Sequence, residues 1–302
     1  MLSILVVNWN TRDYLRACLH SLRETCAEIE HEVIVVDNAS HDGSATMVRA
    51  EFPDVKLFAS EENTGFARGN NLAYGMSRGE WVWLLNPDVE VQTGAPQKLI
   101  EFLQQHPRAG GVASALIDAR DGKPQRSCRT FPVPAALWSE ATRLAKFFPR
   151  SRRYGFYRMG WWNYRDTRRV EQPMASSFLL RRRAIEQITA GSTAEKPLYL
   201  FDEQFPIFFN DVDLCWRLVE SGWEIWYRHD ALVRHWGGAA TSQARPEMIE
   251  ESHRALRRFY RKHFRALVSP PVFAVTLALV TVSGRWRVAA AQHSTGRDRT
   301  AS

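Results

Sequence analysis

The sequence lacks the marks of a disulfide-stabilised or exported protein. It contains only four cysteines among 302 residues, and none of them lies in a Cys-x-x-Cys pair. This usage fits reduced, partly buried thiols in a reducing compartment. The N-terminal residues already have the pattern of a strand, without the basic segment and cleavage site of a signal peptide. We therefore expect a cytoplasmic protein.

Internal repeats, low-complexity segments and long hydrophobic runs are also missing from the sequence. The apolar stretch 268–282 is interrupted by Ser269, Pro270 and Pro271. Its continuous part is shorter than the roughly 20 residues that a bilayer span needs. We therefore expect no membrane-spanning helix in this stretch.

Positive charge is in excess only at the end of the chain. From residue 245 onward there are 11 Lys/Arg and 4 Asp/Glu, whereas the first 244 residues hold 29 of each sign. The first 244 residues therefore lack the basic character of a nucleic-acid-binding protein, and we expect no nucleic-acid partner. The basic tail fits peripheral binding to an anionic membrane surface, but an ordinary helix packed on the domain explains it equally well.

Strand and helix patterns alternate with short connections in the first half of the chain. Apolar runs at 3–7, 33–36, 55–58 and 81–85 have the length of buried strands, and helical patterns lie between them. This alternation predicts an α/β fold with a mostly parallel central sheet flanked by helices. Ligands of such sheets bind at the carboxyl ends of the strands, which here carry Asn8, Asp37 and Asp88.

The second half is less regular. Residues 120–172 are rich in Arg and aromatic residues, and we expect long loops there with one helix around 135–147. Further patterns predict a strand at 174–180, a helix at 211–220, a strand at 223–227 and a basic helix at 248–264.

Two aspartates at strand ends are candidates for ligand contacts. Asp37 can accept hydrogen bonds from a nucleobase N–H or a ribose hydroxyl, but Asp, Asn and Ser are also common helix caps. Asp88 follows Asn86 and Pro87 and can bind a hard cation together with substrate phosphates, although Asn-Pro-Asp also forms simple turns. The residues alone leave both alternatives open for each aspartate.

The segment 63–71, Asn-Thr-Gly-Phe-Ala-Arg-Gly-Asn-Asn, has small residues at alternate positions. These residues allow close approach to the backbone, and Arg68 could face a diphosphate with its fixed fork of donors. The segment matches neither a P-loop nor a dinucleotide-binding turn. A glycine-bearing helix start packed on the sheet is an equally good explanation.

Acidic residues also begin the predicted helix at 211–220. One aspartate there is explained by the helix dipole, but Asp211 and Asp213 both lie in the first turn after an aromatic run. A carboxylate beside a partly desolvated pocket can act as a general base. His235 follows 24 residues after Asp211, and a lone histidine is more often structural than functional.

Taken together and in this order, these segments resemble the family 2 glycosyltransferases, and most of all their rhamnosyltransferase-type branch. The matching segments are Val-Val-Asn-Trp-Asn at 6–10, Val-Val-Asp-Asn-Ala-Ser-x-Asp-Gly-Ser at 35–44, Asn-x-Gly-Phe-Ala-x-Gly-Asn-Asn at 63–71, Leu-Leu-Asn-Pro-Asp at 84–88, Asp-Val-Asp-Leu-Cys-Trp-Arg at 211–217 and His-Trp-Gly-Gly at 235–238. The resemblance covers roughly residues 3–240. It implies a GT-A fold and inverting transfer of a sugar from a nucleoside diphosphate donor with a divalent metal, Mg²⁺ or Mn²⁺.

The resemblance also implies a domain organisation and partners. Residues 1–244 would form the GT-A domain, with a nucleotide-sugar half at about 1–110 and an acceptor half at 111–244, followed by a helical tail at 245–302. The donor would be a dTDP- or UDP-sugar, with rhamnose suggested by the branch. The acceptor would be a lipid-linked or cell-envelope glycan, and the protein would work in the cytoplasm, peripherally on the inner face of the cell membrane.

Roles for individual residues follow from the same resemblance. The nucleotide-sugar site would comprise Asn8, Asp37, Arg68, Asn70, Asn86 and Asp88. Asp88 and His235 would hold the metal, and Asp211 would be the catalytic base. The acceptor side would include Ser176, Ser177 and Asp213. Asn86 and Asn210 depart from the acidic residues that relatives usually have, which leaves metal affinity and the strictness of metal dependence open.

Two other functional classes compete with this interpretation. A non-catalytic sugar-nucleotide or glycan-binding protein could use the same scaffold, but it would not need both Asp88 and Asp211. A nucleotidyltransferase would carry a Gly-rich basic loop after the first strand, where this sequence has Asn8-Trp9-Asn10-Thr11.

Overall fold

A computed structural model describes residues 1–190, 199–237 and 245–299, with side chains at 1–190, 199–237 and 248–286. The strands are β1 (Leu2–Asn8), β2 (His31–Asp37), β3 (Lys56–Ala59), β4 (Trp81–Leu85), β5 (Val89–Val91), β6 (Ala109–Asp118), β7 (Cys128–Arg129), β8 (Arg168–Arg169), β9 (Gln172–Pro173), β10 (Ser177–Arg181) and β11 (Glu224–His235). The helices are α1 (Arg12–Thr25), α2 (Ser44–Glu51), α3 (Gly65–Met76), α4 (Ala95–Gln105), α5 (Pro134–Ala141), α6 (Leu144–Phe147), α7 (Arg182–Thr189), α8 (Asn210–Glu220), α9 (Arg245–Phe264) and α10 (Pro270–Arg299).

A nine-stranded mixed sheet organises the first of two units, which comprises Met1–Arg129 and Tyr164–Ala240. The strand order is β3-β2-β1-β4-β10-β6-β11-β5, and β8 pairs with β11. Strands β1 to β4 are parallel, whereas β10 is antiparallel to both of its neighbours. The reversal of β10 brings its first residue, Ser177, opposite Leu85 at the carboxyl end of β4.

The core of this unit forms because apolar residues recur with the period of each element. Leu15, Leu19 and Leu22 lie on one face of α1 and are buried, as their spacing predicts. All seven residues of β1 are buried, which is expected of a central strand covered by helices on both faces. The predicted α/β class with a mostly parallel sheet is therefore confirmed.

Cysteine burial agrees with the expectation from the sequence. All four cysteines are free and buried. Burial raises the pKa of Cys26 to about 11 and that of Cys128 to about 12. These thiols are therefore protonated at neutral pH and behave as packing groups rather than nucleophiles.

Several predicted boundaries differ from the observed ones. The strand expected at 223–227 continues to His235, with a register shift between Arg228 and Leu232. The helix expected at 135–147 is two helices, because the backbone at Arg143 adopts a left-handed conformation with φ of 63°. The strand expected at 174–180 begins only at Ser177.

The second unit comprises Thr130–Asn163 and Thr241–Ser302. Its helices include α5 and α10, which are joined by a hydrogen bond of 2.8 Å from Trp138 Nε1 to Thr276 Oγ1. The Tyr260 ring stacks on both Phe264 and Phe273. The C-terminal helices thus share a unit with 130–163, whereas the boundary at 244/245 stays a prediction. None of the helices among the described residues is long and apolar enough to cross a membrane.

Candidate active site

The carboxyl ends of β1 and β2 form the first part of the site. Asn8 and Asp37 are register partners and are both buried. Asn8 Nδ2 donates to Asp37 Oδ1 at 2.8 Å and to Ser40 Oγ at 3.2 Å, and Asn8 Oδ1 accepts from Thr11 Oγ1 at 2.6 Å. The amide of Asn8 is therefore engaged within the protein, where it orients the Asp37 carboxylate.

Asn38, which follows Asp37 at the end of β2, binds the glycine-bearing segment 63–71. Its Oδ1 accepts from the backbone N–H and the hydroxyl of Thr64, and its Nδ2 donates to the Gly65 carbonyl at 3.1 Å. Three side-chain hydrogen bonds thus fix the start of α3 beside Asp37.

The sequence left two explanations for the small residues of α3: close packing of the helix on the sheet, or close approach of a ligand. The structure shows the first and leaves Arg68 accessible for the second. A Cβ on Gly69 would lie 2.8 Å from Val7 Cγ1, so this glycine lets the helix pack closely on β1. Asn70 is buried and donates from Nδ2 to the Phe66 carbonyl at 2.9 Å, within the helix. Arg68 immediately precedes Gly69 and is exposed, so its guanidinium is accessible to an anionic ligand.

Asp88 lies between the carboxyl end of β4 and the start of β5. It meets His235 at the end of β11, where β11 pairs with β5. Both side chains are buried, and His235 Nε2 lies 3.5 Å from Asp88 Oδ1. Gln125 contacts His235 twice: its Nε2 donates to the His235 carbonyl at 3.0 Å, and its Oε1 lies 2.7 Å from the ring Nδ1. The first contact fixes the amide orientation, so Nδ1–H donates to Oε1, and in the neutral ring Nε2 is the nitrogen with the lone pair.

The Asp88–His235 pair fits a small divalent cation. In the neutral ring, the lone pair on Nε2 and a carboxylate oxygen of Asp88 lie 3.5 Å apart and can both bind a cation placed between them. Two atoms that each bind such a cation at about 2.1 Å are separated by about 3.0–3.5 Å. Among the described residues no group of three or more His, Cys, Asp or Glu side chains could hold a metal, so substrate oxygens would have to complete the coordination.

A two-residue segment, Ala175 and Ser176, connects the Asp88 loop to the start of α8. Asn86 binds Ser176 twice: its backbone N–H donates to the Ser176 carbonyl at 3.0 Å, and its Nδ2 donates to Ser176 Oγ at 3.2 Å. The backbone N–H of the neighbouring residue, Ala175, is among the groups that act to lower the pKa of the Asp211 carboxyl, so the two are adjacent. Asn86, two residues before Asp88, and Asp211 are therefore both next to this one segment.

Asp211 has the environment of a general base. Burial raises the pKa of this carboxyl above its ordinary value, although the N–H groups of Val212 and Ala175 and the positive charge of Arg129 act in the opposite direction. Val212 N–H lies 2.9 Å from Asp211 Oδ1 at the first turn of α8. A raised pKa makes the ionised carboxylate a better proton acceptor than an ordinary aspartate.

Two other predicted site residues, Asp213 and Ser177, have structural contacts. Asp213 is fully buried and pairs with Arg217 Nε at 2.8 Å. Ser177 Oγ lies 2.6 Å from Ser114 Oγ and accepts from Trp83 Nε1, so its hydroxyl faces the sheet interior. Neither contact brings these side chains to the Asp211 carboxylate. Their acceptor role therefore stays a prediction without a supporting contact.

The structure also identifies contributors that have no signal of their own in the sequence. Gln125 lies 110 positions before His235, and Asn71 binds the segment around Phe201 from 130 positions away. Asn71 Nδ2 donates to the Phe201 carbonyl at 2.9 Å, and its Oδ1 accepts from the Phe201 N–H at 2.8 Å. Such pairings depend on the folded sheet, so no local motif could have indicated them.

The architecture is that of the GT-A fold class. Mannosyltransferase PcManGT from Pyrobaculum calidifontis, solved with GDP-Man and Mn²⁺, superposes with a TM-score of 0.57 at 17% identity, covering 100% of this chain and 75% of that one. S. aureus TarS 1-349 with UDP-GlcNAc also gives 0.57, at 16% identity and coverages of 93% and 72%. At such identities the likeness establishes the fold alone.

The chain belongs to glycosyl transferase family 2, whose sequence model matches residues 3–187. A curated relative is the N-acetylglucosaminyl-diphospho-decaprenol L-rhamnosyltransferase of Mycobacterium tuberculosis. It is 27% identical over 270 residues, which cover 84% of this chain and 82% of the relative. The family and the GT-A fold predicted from the sequence are therefore confirmed.

Proposed function

We propose that this protein is an inverting, metal-assisted glycosyltransferase. It would move a sugar from a nucleoside diphosphate donor to a hydroxyl group of a lipid-linked or cell-envelope glycan. The observation that carries the proposal is the convergence of two loops on adjacent residues: Asn86, two residues before Asp88, binds Ser176, and the Asp211 carboxyl is next to Ala175, while Asp88 lies beside His235. A leaving-group site and a base must be held at a fixed separation for direct displacement.

The donor would bind along the carboxyl ends of β1, β2 and β4. Asp37 would accept hydrogen bonds from the base or ribose, and Asn8 would keep its carboxylate oriented. Arg68, exposed at the start of α3, would contact the diphosphate. Asp88 and His235 would hold the divalent cation, Mg²⁺ or Mn²⁺, which when bound neutralises charge on the diphosphate.

Asp211 would act as the base of the transfer step. Its carboxylate takes the proton of the acceptor hydroxyl, and the hydroxyl oxygen forms a bond to the anomeric carbon. The bond between that carbon and the diphosphate oxygen breaks, and the nucleoside diphosphate leaves with the electron pair. A single displacement with one base inverts the configuration at the anomeric carbon.

The substrate class is suggested by the M. tuberculosis relative, whose name describes rhamnose transfer to N-acetylglucosaminyl-diphospho-decaprenol. We propose a dTDP- or UDP-sugar donor, with rhamnose as the first sugar to test, and a lipid-diphosphate-linked acceptor. Arg129, whose charge acts on Asp211, is suitably positioned to meet the anionic acceptor. The free, buried cysteines support a reaction on the cytoplasmic side of the membrane.

The test has two stages. Thermal-shift screening of the full chain against dTDP-, UDP- and GDP-sugars, with and without Mn²⁺, should show stabilisation by one donor class that depends on the metal. That donor is then incubated with a lipid-diphosphate-linked amino sugar, and the glycosylated product is measured by mass spectrometry. Donor binding without transfer to any glycan acceptor would favour the non-catalytic alternative. Full activity in excess EDTA would reject the metal role of Asp88 and His235.

A further inference from the structure

The division into two units separates the charges of the protein. The unit made of 130–163 and 241–302 contains 17 Lys/Arg and 5 Asp/Glu, a net charge of +12. The unit that contains the candidate active site has 23 Lys/Arg and 28 Asp/Glu, a net charge of −5. No acidic residue occurs between 252 and 297. The positive charge therefore belongs to the second unit as a whole and not only to the tail.

The second unit also carries the most exposed large hydrophobic side chains. Among the described residues, every large hydrophobic side chain that is more than half exposed lies in this unit. They are Phe147, Phe148, Leu267, Val275, Val282 and Trp286. A water-exposed surface of this kind commonly marks an interaction site.

Helix α10 presents three of these side chains, Val275, Val282 and Trp286, on one face. Its exposed positions between 271 and 286 recur every three to four residues, as the exposed face of a helix does. They are Pro271, Ala274, Val275, Ala278, Val282, Arg285 and Trp286, of which only Arg285 is charged. The opposite face is covered by protein: Thr276 and Val280 are buried, and a Cβ on Gly284 would lie 2.9 Å from His253. An apolar outer face on a helix that is already packed on its inner face requires a further partner.

The turn around α6 adds a second apolar and basic element next to α10. The Arg143 guanidinium lies 4.8 Å from the centre of the Trp286 ring. Phe147 and Phe148 follow Arg143 within about one helical turn and are 72% and 53% exposed. Exposed basic residues, Lys146, Arg150, Arg152 and Arg153, accompany them, and 141–163 contain no acidic residue.

We propose that this surface, formed by the outer face of α10 and the turn 143–153, docks the protein on an anionic lipid bilayer. Helix α10 would lie in the plane of the interface with Val275, Val282 and Trp286 among the acyl chains. Phe147 and Phe148 would insert beside them, and the surrounding Arg and Lys side chains would contact the lipid phosphates. Charge complementarity favours this occupant over a second copy, because two copies would bring surfaces of the same positive sign together.

The inference concerns a partner of the second unit and does not depend on the chemistry proposed for the first. The test is co-sedimentation of the full chain with vesicles of phosphatidylcholine alone or with added phosphatidylglycerol. Binding should be weak to phosphatidylcholine alone, much stronger with phosphatidylglycerol, and should weaken with salt. These vesicles contain no glycan acceptor, so binding cannot come from the active site.

Substitutions then separate the contributions of apolar and of charged side chains to vesicle binding. Phe147→Ser with Phe148→Ser, and independently Val282→Ser with Trp286→Ser, should each lower the partition coefficient by roughly tenfold or more. Lys146→Gln with Arg150→Gln should lower binding to anionic vesicles by roughly tenfold and leave the weak binding to phosphatidylcholine unchanged. Phe58→Ser, an exposed aromatic residue on β3 in the first unit, is the matched control and should bind like the wild type.

Two results would overturn the proposal. One is vesicle binding that is absent, or unchanged in both apolar double variants, when circular dichroism shows that the proteins are folded. The other is a concentration-dependent dimer, detected by light scattering, that the same apolar substitutions dissociate. Donor binding by thermal shift should be the same in all variants, which keeps this test separate from that of the proposed function.

Discussion

Gln125 holds His235 with both ends of its amide, at 3.0 Å to the main-chain carbonyl and 2.7 Å to the ring Nδ1. The contact fixes the tautomer in which Nε2 can bind a cation, and it aims that nitrogen at Asp88. Ligand histidines in metal sites commonly need such a partner on the other ring nitrogen. Gln125 is therefore a positioning residue for the proposed metal site.

Replacing Gln125 by Leu should raise the dissociation constant of Mn²⁺ by about 10–100-fold, because the ring loses its orientation and its preferred tautomer. Titration calorimetry with Mn²⁺ in the presence of nucleoside diphosphate measures this directly, without an activity assay. Gln125→Glu keeps an oxygen acceptor for Nδ1–H and should lose less affinity. Mn²⁺ binding by Gln125→Leu that equals that of the wild type would contradict the assignment.

Replacing Asp211 by Asn should remove transfer without weakening the fold. Loss of a general base costs about 10²–10⁴-fold in kcat, while burial that disfavours the ionised carboxylate is relieved in the amide. The melting temperature of Asp211→Asn should therefore equal or exceed that of the wild type. Donor binding by thermal shift should survive.

Asp213→Asn is the matched control for this prediction, on the same helical turn. It removes the charge partner of Arg217, which is largely buried, and should cost roughly 2–4 kcal/mol of unfolding free energy. Asp211→Asn should thus lose activity and keep its stability, whereas Asp213→Asn should lose stability. A lower melting temperature for Asp211→Asn than for Asp213→Asn would reject the environment assigned to Asp211.

The raised pKa of Asp211 predicts a pH dependence of both activity and stability. The base must be ionised, so kcat/KM should fall as pH decreases through the raised pKa, and the fall should begin above the range of an ordinary aspartate. The folded state holds this proton more tightly than the unfolded state, so its contribution to stability is present below the unfolded pKa of about 4 and is lost as pH rises through the folded value. The melting temperature of Asp211→Asn relative to the wild type should therefore increase over that interval. A pH-independent difference would contradict the shift.

Sequence patterns predicted the strands and helices whose apolar residues recur with a regular spacing. The apolar runs of β1, β2 and β4 and the leucine face of α1 were expected close to their observed bounds, because burial on a regular element leaves its period in the sequence. Strand β6 was not predicted. It begins Ala-Gly-Gly, and glycine is rare in strands; here a Cβ on Gly111 would lie 2.6 Å from the Phe178 ring. The glycine is required by a neighbour that only the folded sheet brings close.

The positions of the candidate aspartates could be predicted from the sequence, but the contacts that link them could not. Asp37, Asp88 and Asp211 follow or precede regular elements, so their positions could be inferred from strand and helix patterns. The position of the segment Ala175–Ser176 beside Asn86 and Asp211 depends on the reversed direction of β10, and a period does not record strand direction. The acceptor-side role of Asp213 stays a prediction, and its carboxylate pairs with Arg217.

Helix α3 allows a stability test of the close packing that positions Arg68 and the turn at Asn38. Gly69→Ala would bring a Cβ within 2.8 Å of Val7 Cγ1 on the central strand. Because β1 is buried on both faces and cannot yield easily, we expect a loss of about 1–3 kcal/mol in unfolding free energy. Urea denaturation followed by circular dichroism measures the change.

Gly75→Ala in the same helix is the control, since a Cβ there meets no atom within 4 Å. It should stabilise the protein by up to about 1 kcal/mol, because alanine has the higher helix propensity. If α3 must stay close to β1 for donor binding, Gly69→Ala should also weaken binding of the nucleotide sugar, and Gly75→Ala should leave it unchanged. Equal effects of the two substitutions would show that helix propensity, rather than contact with Val7, explains the glycine at position 69.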